Sequence, residues 1–179
     1  MKKRFFYTLS AFIIFCFYGC EDTDYCNECD GLCCYREFSS PIELNDPIEL
    51  DMDSDGEDDV LIKYINSGVE IKCMSSNVEV STGYQSYILP SRPYSVIYEN
   101  HMLNYGWNWQ SSITAASDGK INVGEYIGVR FKGKDCYYYG WIKVSSVLPD
   151  HSNFKVYALY LYKGVNNIVY AGVKNPNCN

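Results

Sequence analysis

The feature that most limits how this chain can fold is a series of short apolar runs after Pro41, separated by Gly, Asn, Ser and Pro. Eight of these runs are rich in Val, Ile, Tyr or Phe and have the length of a β-strand. They cover residues 60–65, 69–73, 78–81, 95–99, 126–132, 137–144, 155–162 and 168–171. Beyond residue 19, no stretch keeps a helical period for more than about two turns. The sequence therefore predicts an all-β fold, a single β-sandwich or open barrel of about eight antiparallel strands.

The clearest hairpin spans residues 126–144. Side chains alternate between the two faces of a strand, so Ile127 and Arg130 are expected on opposite faces. Ile142 is expected inward and Trp141 outward, or the reverse if the register slips by one residue. The pattern reads Y-I-G-V-R-F, then Y-Y-G-W-I, then an aromatic strand. It resembles a carboxy-terminal β unit of exported bacterial proteins, some of which carry PEP-CTERM sorting tails, and this resemblance implies export without implying an activity.

An acidic segment, DMDSDGEDD at residues 51–59, stands directly before the predicted strand 60–65. Oxygen ligands on alternate residues of a tight loop point inward, and a glycine permits the sharp turn, which is how proteins hold calcium. The spacing is similar to the D-x-D-x-D-G-x-x-D loops of FG-GAP-type and thrombospondin-type-3 calcium repeats. That resemblance implies one structural calcium ion, bound by the side chains of Asp51, Asp53, Asp55 and Asp59 and by the backbone carbonyl of Glu57.

Two alternatives to this assignment stay open. Either the segment is a solvated acidic turn without an ion, or Asp58 replaces Asp59 as a ligand. The opening of the segment also resembles an EF-hand loop, but Ile62 stands where that family has a bidentate Glu, and no helix-forming segment flanks it. An EF-hand is therefore disfavoured.

The amino terminus has the layout of an export signal. Basic residues at positions 2–4 precede an apolar run of about a dozen residues, and Gly19 stands before Cys20. The run is shorter than the roughly 20 apolar residues that a membrane-spanning helix needs. Residues 1–19 resemble the signal peptide of a bacterial lipoprotein, which implies that Cys20 carries lipid, palmitate included, and anchors the protein in a membrane. A plain signal peptide is the alternative. The EDTD that follows resembles the tag of lipoproteins on the outer face of the outer membrane.

Charge divides the chain that follows this signal. Residues 20–59 hold 15 acidic side chains and one basic side chain, Arg36, whereas residues 60–179 hold 7 acidic and 11 basic ones. The many negative charges of this segment repel one another, so the segment is expected to stay extended. Residues 20–40 are therefore interpreted as an acidic, Cys-bearing tether, and residues 41–179 as the β-sandwich domain. Nucleic acid is not expected as a partner, because its phosphates would be repelled.

Seven cysteines remain once Cys16 in the signal and Cys20 are set aside. In an exported, oxidising setting such cysteines usually form disulfides; a zinc site or free thiols are the alternatives. Because Cys73, Cys136 and Cys178 lie in or beside the predicted β region, two of them are candidates for a disulfide across it.

Residues suited to ligand chemistry are few. Tyr105, Trp107 and Trp109 alternate in YGWNW and would line one face of an extended segment, where flat rings can stack on sugars. Alternatively, they cover one end of the core. No nucleophile elbow and no His-Glu-x-x-His motif is present, so a triad or zinc hydrolase has no signature. A glycosidase needs only two close carboxylates, which a sequence does not reveal.

Together these patterns favour an exported outer-membrane lipoprotein with one structural calcium ion, whose β-sandwich binds or scaffolds a glycan or an envelope protein and does not catalyse a reaction. Whether it faces the cell surface stays open. A carbohydrate-binding surface module that uses Trp107 and Trp109 is the second hypothesis, and a glycan hydrolase is the third.

Overall fold

The computed structural model describes residues 33–66, 68–82, 97, 99–103, 107–116, 126–133, 137–145, 154–164 and 168–174. In these ranges the chain forms eleven β-strands and no helix. The strands are β1 (Cys33–Glu43), β2 (Ile48–Leu50), β3 (Val60–Ile65), β4 (Gly68–Cys73), β5 (Val78–Ser81), β6 (Met102–Leu103), β7 (Ser112–Ala116), β8 (Tyr126–Lys132), β9 (Tyr137–Val144), β10 (Lys155–Tyr162) and β11 (Val169–Tyr170). Within the same ranges, no helix is long and apolar enough to cross a bilayer. The predicted all-β fold is confirmed, with more strands than the eight expected.

Two antiparallel sheets pack face to face. The larger sheet has the strand order β1-β10-β9-β8-β5, and the smaller one has the order β2-β3-β4-β7. Alternate side chains of both sheets are buried between them in one core. This core includes Leu50, Val60, Ile62 and Ile71 from the smaller sheet and Val80, Ile127, Val129, Ile142, Leu159 and Leu161 from the larger one. Neither sheet closes on itself, so the architecture is a β-sandwich and not a barrel.

Local alternation predicts most of these strands correctly. β3, β5, β8, β9 and β10 have the predicted bounds, and β4 begins one residue earlier, at Gly68. The predicted run 168–171 is shortened to β11, and in the run 95–99 the structure describes a single bridge at Ile97. The sequence pattern does not predict β1, β2, β6 or β7.

Strand β1 corrects the boundary of the predicted tether. It begins at Cys33 and pairs with β10 along one edge of the larger sheet, so residues 33–40 belong to the sandwich. Its apolar alternation is weak because the strand lies at an edge, where Pro41 is tolerated. The register also shifts between Glu37 and Ile42, which further obscures the period of two.

The outer face of the larger sheet is covered by a second cluster, which we name the aromatic layer. Its largest buried members are Tyr126, Trp141, Tyr160 and Tyr162, and Tyr35, Trp107 and Tyr139 pack against them partly buried. The short pair β6–β11 completes it. Trp141 lies on the face opposite Ile142, as alternation predicts, yet it is only 3% exposed because this layer covers it. Its ring centroid lies 5.4 Å from that of Tyr126 and 5.5 Å from that of Tyr160.

Candidate metal centre

The acidic loop, residues 51–59, connects β2 to β3 and is fixed by that strand pair. The Asp59 amide donates to the Leu50 carbonyl at 2.9 Å, directly beside the strand ladder. Met52 is fully buried and anchors the loop in the core. Gly56 has a φ of 90°, which a residue with a Cβ rarely adopts, so the glycine permits the turn. The loop is therefore a tight turn that the adjacent strand pair and the buried Met52 side chain hold in place.

Three carboxylates of the acidic loop converge. Asp51, Asp53 and Asp59 each offer one oxygen, and the three atoms lie within 4.8 Å of one another. Asp59 is 8% exposed, and the other two are partly exposed. Carboxylates this close repel one another unless a proton or a cation neutralises them. These three residues form an acidic triad that could hold a metal ion.

Each carboxylate of the acidic triad has one oxygen bound to a donor of the protein. Asp59 Oδ2 accepts a hydrogen bond from the Met52 amide at 2.8 Å, and Asp51 Oδ2 accepts one from the Gly56 amide at 3.0 Å. Asp53 Oδ2 forms an ion pair with the Lys163 ammonium at 3.1 Å. These donors fix how the carboxylates are oriented, in the way that outer contacts orient metal ligands.

The opposite oxygens of two triad members have no such donor. Asp51 Oδ1 and Asp53 Oδ1 are buried and have no hydrogen-bond partner among the described residues. Buried polar atoms are nearly always paired, and each one that is not costs about 1–3 kcal/mol. A cation bound to the triad would satisfy both oxygens, so the residues present fit a metal ion.

Burial and charge also act on the third member of the triad. Desolvation raises the pKa of Asp59 to about 7, the Met52 amide opposes this rise, and the neighbouring carboxylates of Asp53, Asp55 and Asp51 add to it. Without a cation, this carboxyl therefore keeps a proton over much of the pH range in which an isolated Asp is ionised. Metal binding would release that proton.

The remaining predicted ligands of the acidic loop lie outside the triad. Asp55 is exposed, and its Oδ1 accepts the Glu57 amide at 2.9 Å. Glu57 is also exposed, and a role for its carbonyl oxygen stays a prediction. Asp58 is exposed whereas Asp59 is buried, so Asp59 and not Asp58 completes the triad.

Contacts with the larger sheet hold the acidic loop from its other side. The Cys34 thiol donates to the Asp53 carbonyl at 3.5 Å, and Arg36 donates to the Ser54 hydroxyl at 3.4 Å. Both residues belong to β1, and Lys163 directly follows β10. The triad therefore lies where the two sheets meet. Sequence reasoning misses Lys163 because nothing local marks a lysine so distant in the chain as a partner of Asp53.

The cysteines differ from expectation in part. Cys34 and Cys73 are buried thiols, so Cys73 takes no part in the disulfide considered across the β region. Burial, followed by the charges of Glu79 and Asp59, raises the pKa of the Cys73 thiol to about 12. Cys33 is disulfide-bonded, and no disulfide joins two of the three cysteines in the described ranges. Cys20, Cys136 and Cys178 lie outside these ranges.

The structure brings Trp107 and Trp109 together, whereas Tyr105 lies outside the described residues. The two indole rings stack with centroids 6.1 Å apart and an interplanar angle of 21°. Trp109 also contacts Tyr139, at 5.8 Å between centroids, and the Arg130 guanidinium, at 4.9 Å. The ring of Trp109 thus contacts several other side chains of the protein. Trp107 is the better placed of the two to contact a ligand.

Arg130 is held among protein groups. Its guanidinium forms an ion pair with Glu79 at 2.6 Å and lies over the Tyr137 ring at 4.3 Å from the centroid. Both of these contacts are with groups of the protein itself. Glu70 is similarly paired with Lys63 at 3.1 Å. Of the acids outside residues 20–59, Glu70 and Glu79 thus have basic partners.

Comparison of the chain with protein-family models, with curated proteins and with solved structures finds no match.

Proposed function

We propose that the protein is a cell-envelope lipoprotein, anchored through Cys20, whose β-sandwich holds one structural calcium ion and acts as a binding or scaffolding module. The observation that carries the metal assignment is the pair of buried carboxylate oxygens, on Asp51 and Asp53, with no hydrogen-bond partner among the described residues. Both belong to the triad whose oxygens converge within 4.8 Å.

Calcium suits these donors better than other common metals. The triad offers only carboxylate oxygens, which favours hard cations over zinc or copper. Calcium accepts about six to eight oxygens in flexible geometry, so water and the Glu57 carbonyl would complete its shell, whereas magnesium demands a nearly ideal octahedron. Since the acidic loop contacts strands of both sheets, the bound ion would stabilise the sandwich and not carry out a reaction.

Thermal unfolding of the purified mature chain tests this site. We expect calcium to raise the melting temperature above that measured with chelator, and Asp53→Asn to abolish the rise. Asp46→Asn is the matched control, because Asp46 is an exposed acid outside the acidic loop. Equal melting temperatures with calcium and with chelator, or the same loss in both variants, would contradict a specific site.

The envelope assignment has its own test, since residues 1–32 lie outside the described ranges. We expect cells grown with a palmitate analogue to label the wild-type protein in the outer-membrane fraction and not to label Cys20→Ser. Absence of label on the wild type would remove the lipid anchor and leave a plain signal peptide.

A glycan-binding module is the second candidate function. Trp107 favours it, because its ring is partly exposed and stacked on Trp109, with the partly exposed amides of Asn108 and Gln110 nearby in the chain. A glycan array should then show binding by the wild type that Trp107→Ala removes, whereas Tyr64→Ala, which truncates an exposed aromatic elsewhere, should leave it intact. No binding by the wild type would end this candidate. Within the ranges that the structure describes, no specific contact favours the third hypothesis, a hydrolase.

A further inference from the structure

Lys163 brings a positive charge to the acidic triad from the other sheet. It directly follows β10, and its Nζ lies 3.1 Å from Asp53 Oδ2. Both side chains are mostly buried, with 25% of Lys163 and 19% of Asp53 exposed. An ion pair so shielded from water is felt more strongly by its neighbours than a surface pair.

The ammonium does not fill the metal site. It contacts Oδ2 of Asp53, while Oδ1 of the same carboxylate is buried and has no hydrogen-bond partner among the described residues. Lys163 therefore leaves Asp53 with one oxygen for a cation and fixes the direction in which that oxygen points. The Gly56 amide does the same for Asp51, but it carries no net charge.

Charge balance follows from this arrangement. The three carboxylates of the triad carry three negative charges when ionised. One divalent ion together with the Lys163 ammonium neutralises them completely, whereas a trivalent ion would leave an excess positive charge beside the ammonium. Without the ammonium, a trivalent ion becomes the better match.

We propose that Lys163 is a positioning residue of the cation site that sets its preference for divalent over trivalent ions. This inference rests on the proposed calcium site. It goes beyond that site because it assigns the choice of ion charge to a residue that does not touch the ion. The preference arises because the two possible ions differ by one unit of charge, and the same partly exposed ammonium repels the trivalent ion more than the divalent one.

Calorimetric titration of the purified mature chain with Ca²⁺ and with La³⁺ tests the proposal. We expect Lys163→Met to raise the ratio of La³⁺ affinity to Ca²⁺ affinity about tenfold over wild type, from the loss of one charge at close range. Lys163→Gln, a second neutral variant, should do the same, and Lys163→Arg should leave the ratio near that of wild type. A purely structural role would weaken both ions equally and leave the ratio unchanged.

Lys63→Met is the matched control, because Lys63 also forms an ion pair at 3.1 Å, with Glu70 on β4. The ratio of La³⁺ affinity to Ca²⁺ affinity in Lys63→Met should equal that of wild type. If wild type binds Ca²⁺ and neither neutral variant changes the ratio, the role of Lys163 is wrong while the calcium site stands. If wild type binds no Ca²⁺, the calcium site itself is wrong and this inference falls with it.

Discussion

The acidic loop and the aromatic layer satisfy their side chains in opposite ways. In the aromatic layer, the Trp141 indole donates to the Val173 carbonyl at 3.4 Å, and the Lys174 ammonium lies 3.4 Å from the centroid of the Tyr35 ring. In the acidic loop, by contrast, two buried carboxylate oxygens have no hydrogen-bond partner in the described part of the chain. These polar groups of the aromatic layer are therefore satisfied by the protein itself, whereas the acidic loop has two carboxylate oxygens that a cation could satisfy.

This contrast shows that an unusual local composition does not by itself mark a ligand site. Clustered aromatics and clustered carboxylates are equally conspicuous in the sequence, and each suggests a ligand. Burial and contacts show that the largest aromatics of this layer serve packing, whereas Trp107 packs against the layer only partly buried. The carboxylates repel one another, and packing alone does not compensate for that. The two buried carboxylate oxygens without a hydrogen-bond partner, and not the acidic composition by itself, point to a cation at the loop.

The largest expected effect comes from removing the centre of the aromatic layer. Trp141→Ala should lower the free energy of unfolding by about 3–5 kcal/mol, because a large, nearly fully buried ring leaves a cavity. Trp107→Ala, at the rim, should cost about 1 kcal/mol or less. Urea denaturation of the two variants measures the difference. Similar losses in both would mean that Trp107 is as much a core residue as Trp141.

How far the sequence predicts the fold depends on how local each signal is. β8 and β9 are predicted to the residue, because Ile127, Val129 and Ile142 alternate with residues of the other face. Trp141 shows the limit of such alternation. The period gives the face of Trp141 correctly, but whether another layer covers that face depends on β6 and β11. Each is two residues long, and only β11 lies in a predicted run.

The candidate site divides in the same way. Asp51, Asp53 and Asp59 are predictable, because a loop that alternates acids around a glycine already encodes their convergence. Lys163 is not predictable, since its position beside Asp53 depends on how the two sheets pack. Asp55 lies outside the converging group, and its Oδ1 accepts a hydrogen bond from the Glu57 amide, so its role as a ligand stays a prediction.

A smaller loss of stability is expected from breaking the ion pair between Arg130 and Glu79, which lies beside aromatic rings. Arg130→Met should cost about 1–3 kcal/mol, because it deprives Glu79 of an ion pair in which the Arg130 side chain is only 10% exposed. Lys155→Met is the matched control: its pair with Glu43 is equally short, at 2.6 Å, but 30% and 54% exposed. This variant should cost less than Arg130→Met, because water screens an exposed ion pair. Chemical denaturation that ranks Lys155→Met as the more damaging change would refute burial as the cause.

Calcium itself should have a still smaller effect on stability. With a dissociation constant of about 0.1–1 mM, as is common outside cells, 1 mM free calcium adds roughly 0.4–1.4 kcal/mol. Asp59→Asn should remove this gain, measured as the difference between unfolding curves with calcium and with chelator. In chelator at pH 8 the same variant should be at least as stable as wild type, because it no longer buries a charge. A variant that stays calcium-dependent would place the ion elsewhere.

The smallest effect is the pH dependence of that calcium gain. The folded-state pKa of Asp59, about 7, lies above its ordinary value of 3.8, so the stability that its protonated form contributes is complete below pH 3.8 and is lost as the pH rises through 7. Ionised Asp59 therefore lowers the stability of the metal-free protein most at high pH. Calcium must displace the Asp59 proton at pH 5 but not at pH 8. The rise in melting temperature on adding calcium should thus be larger at pH 8, and in Asp59→Asn it should be absent at both. A calcium gain in the wild type that is equal at the two pH values would show that Asp59 is already ionised at pH 5 without the metal, and would contradict a raised pKa as the cause.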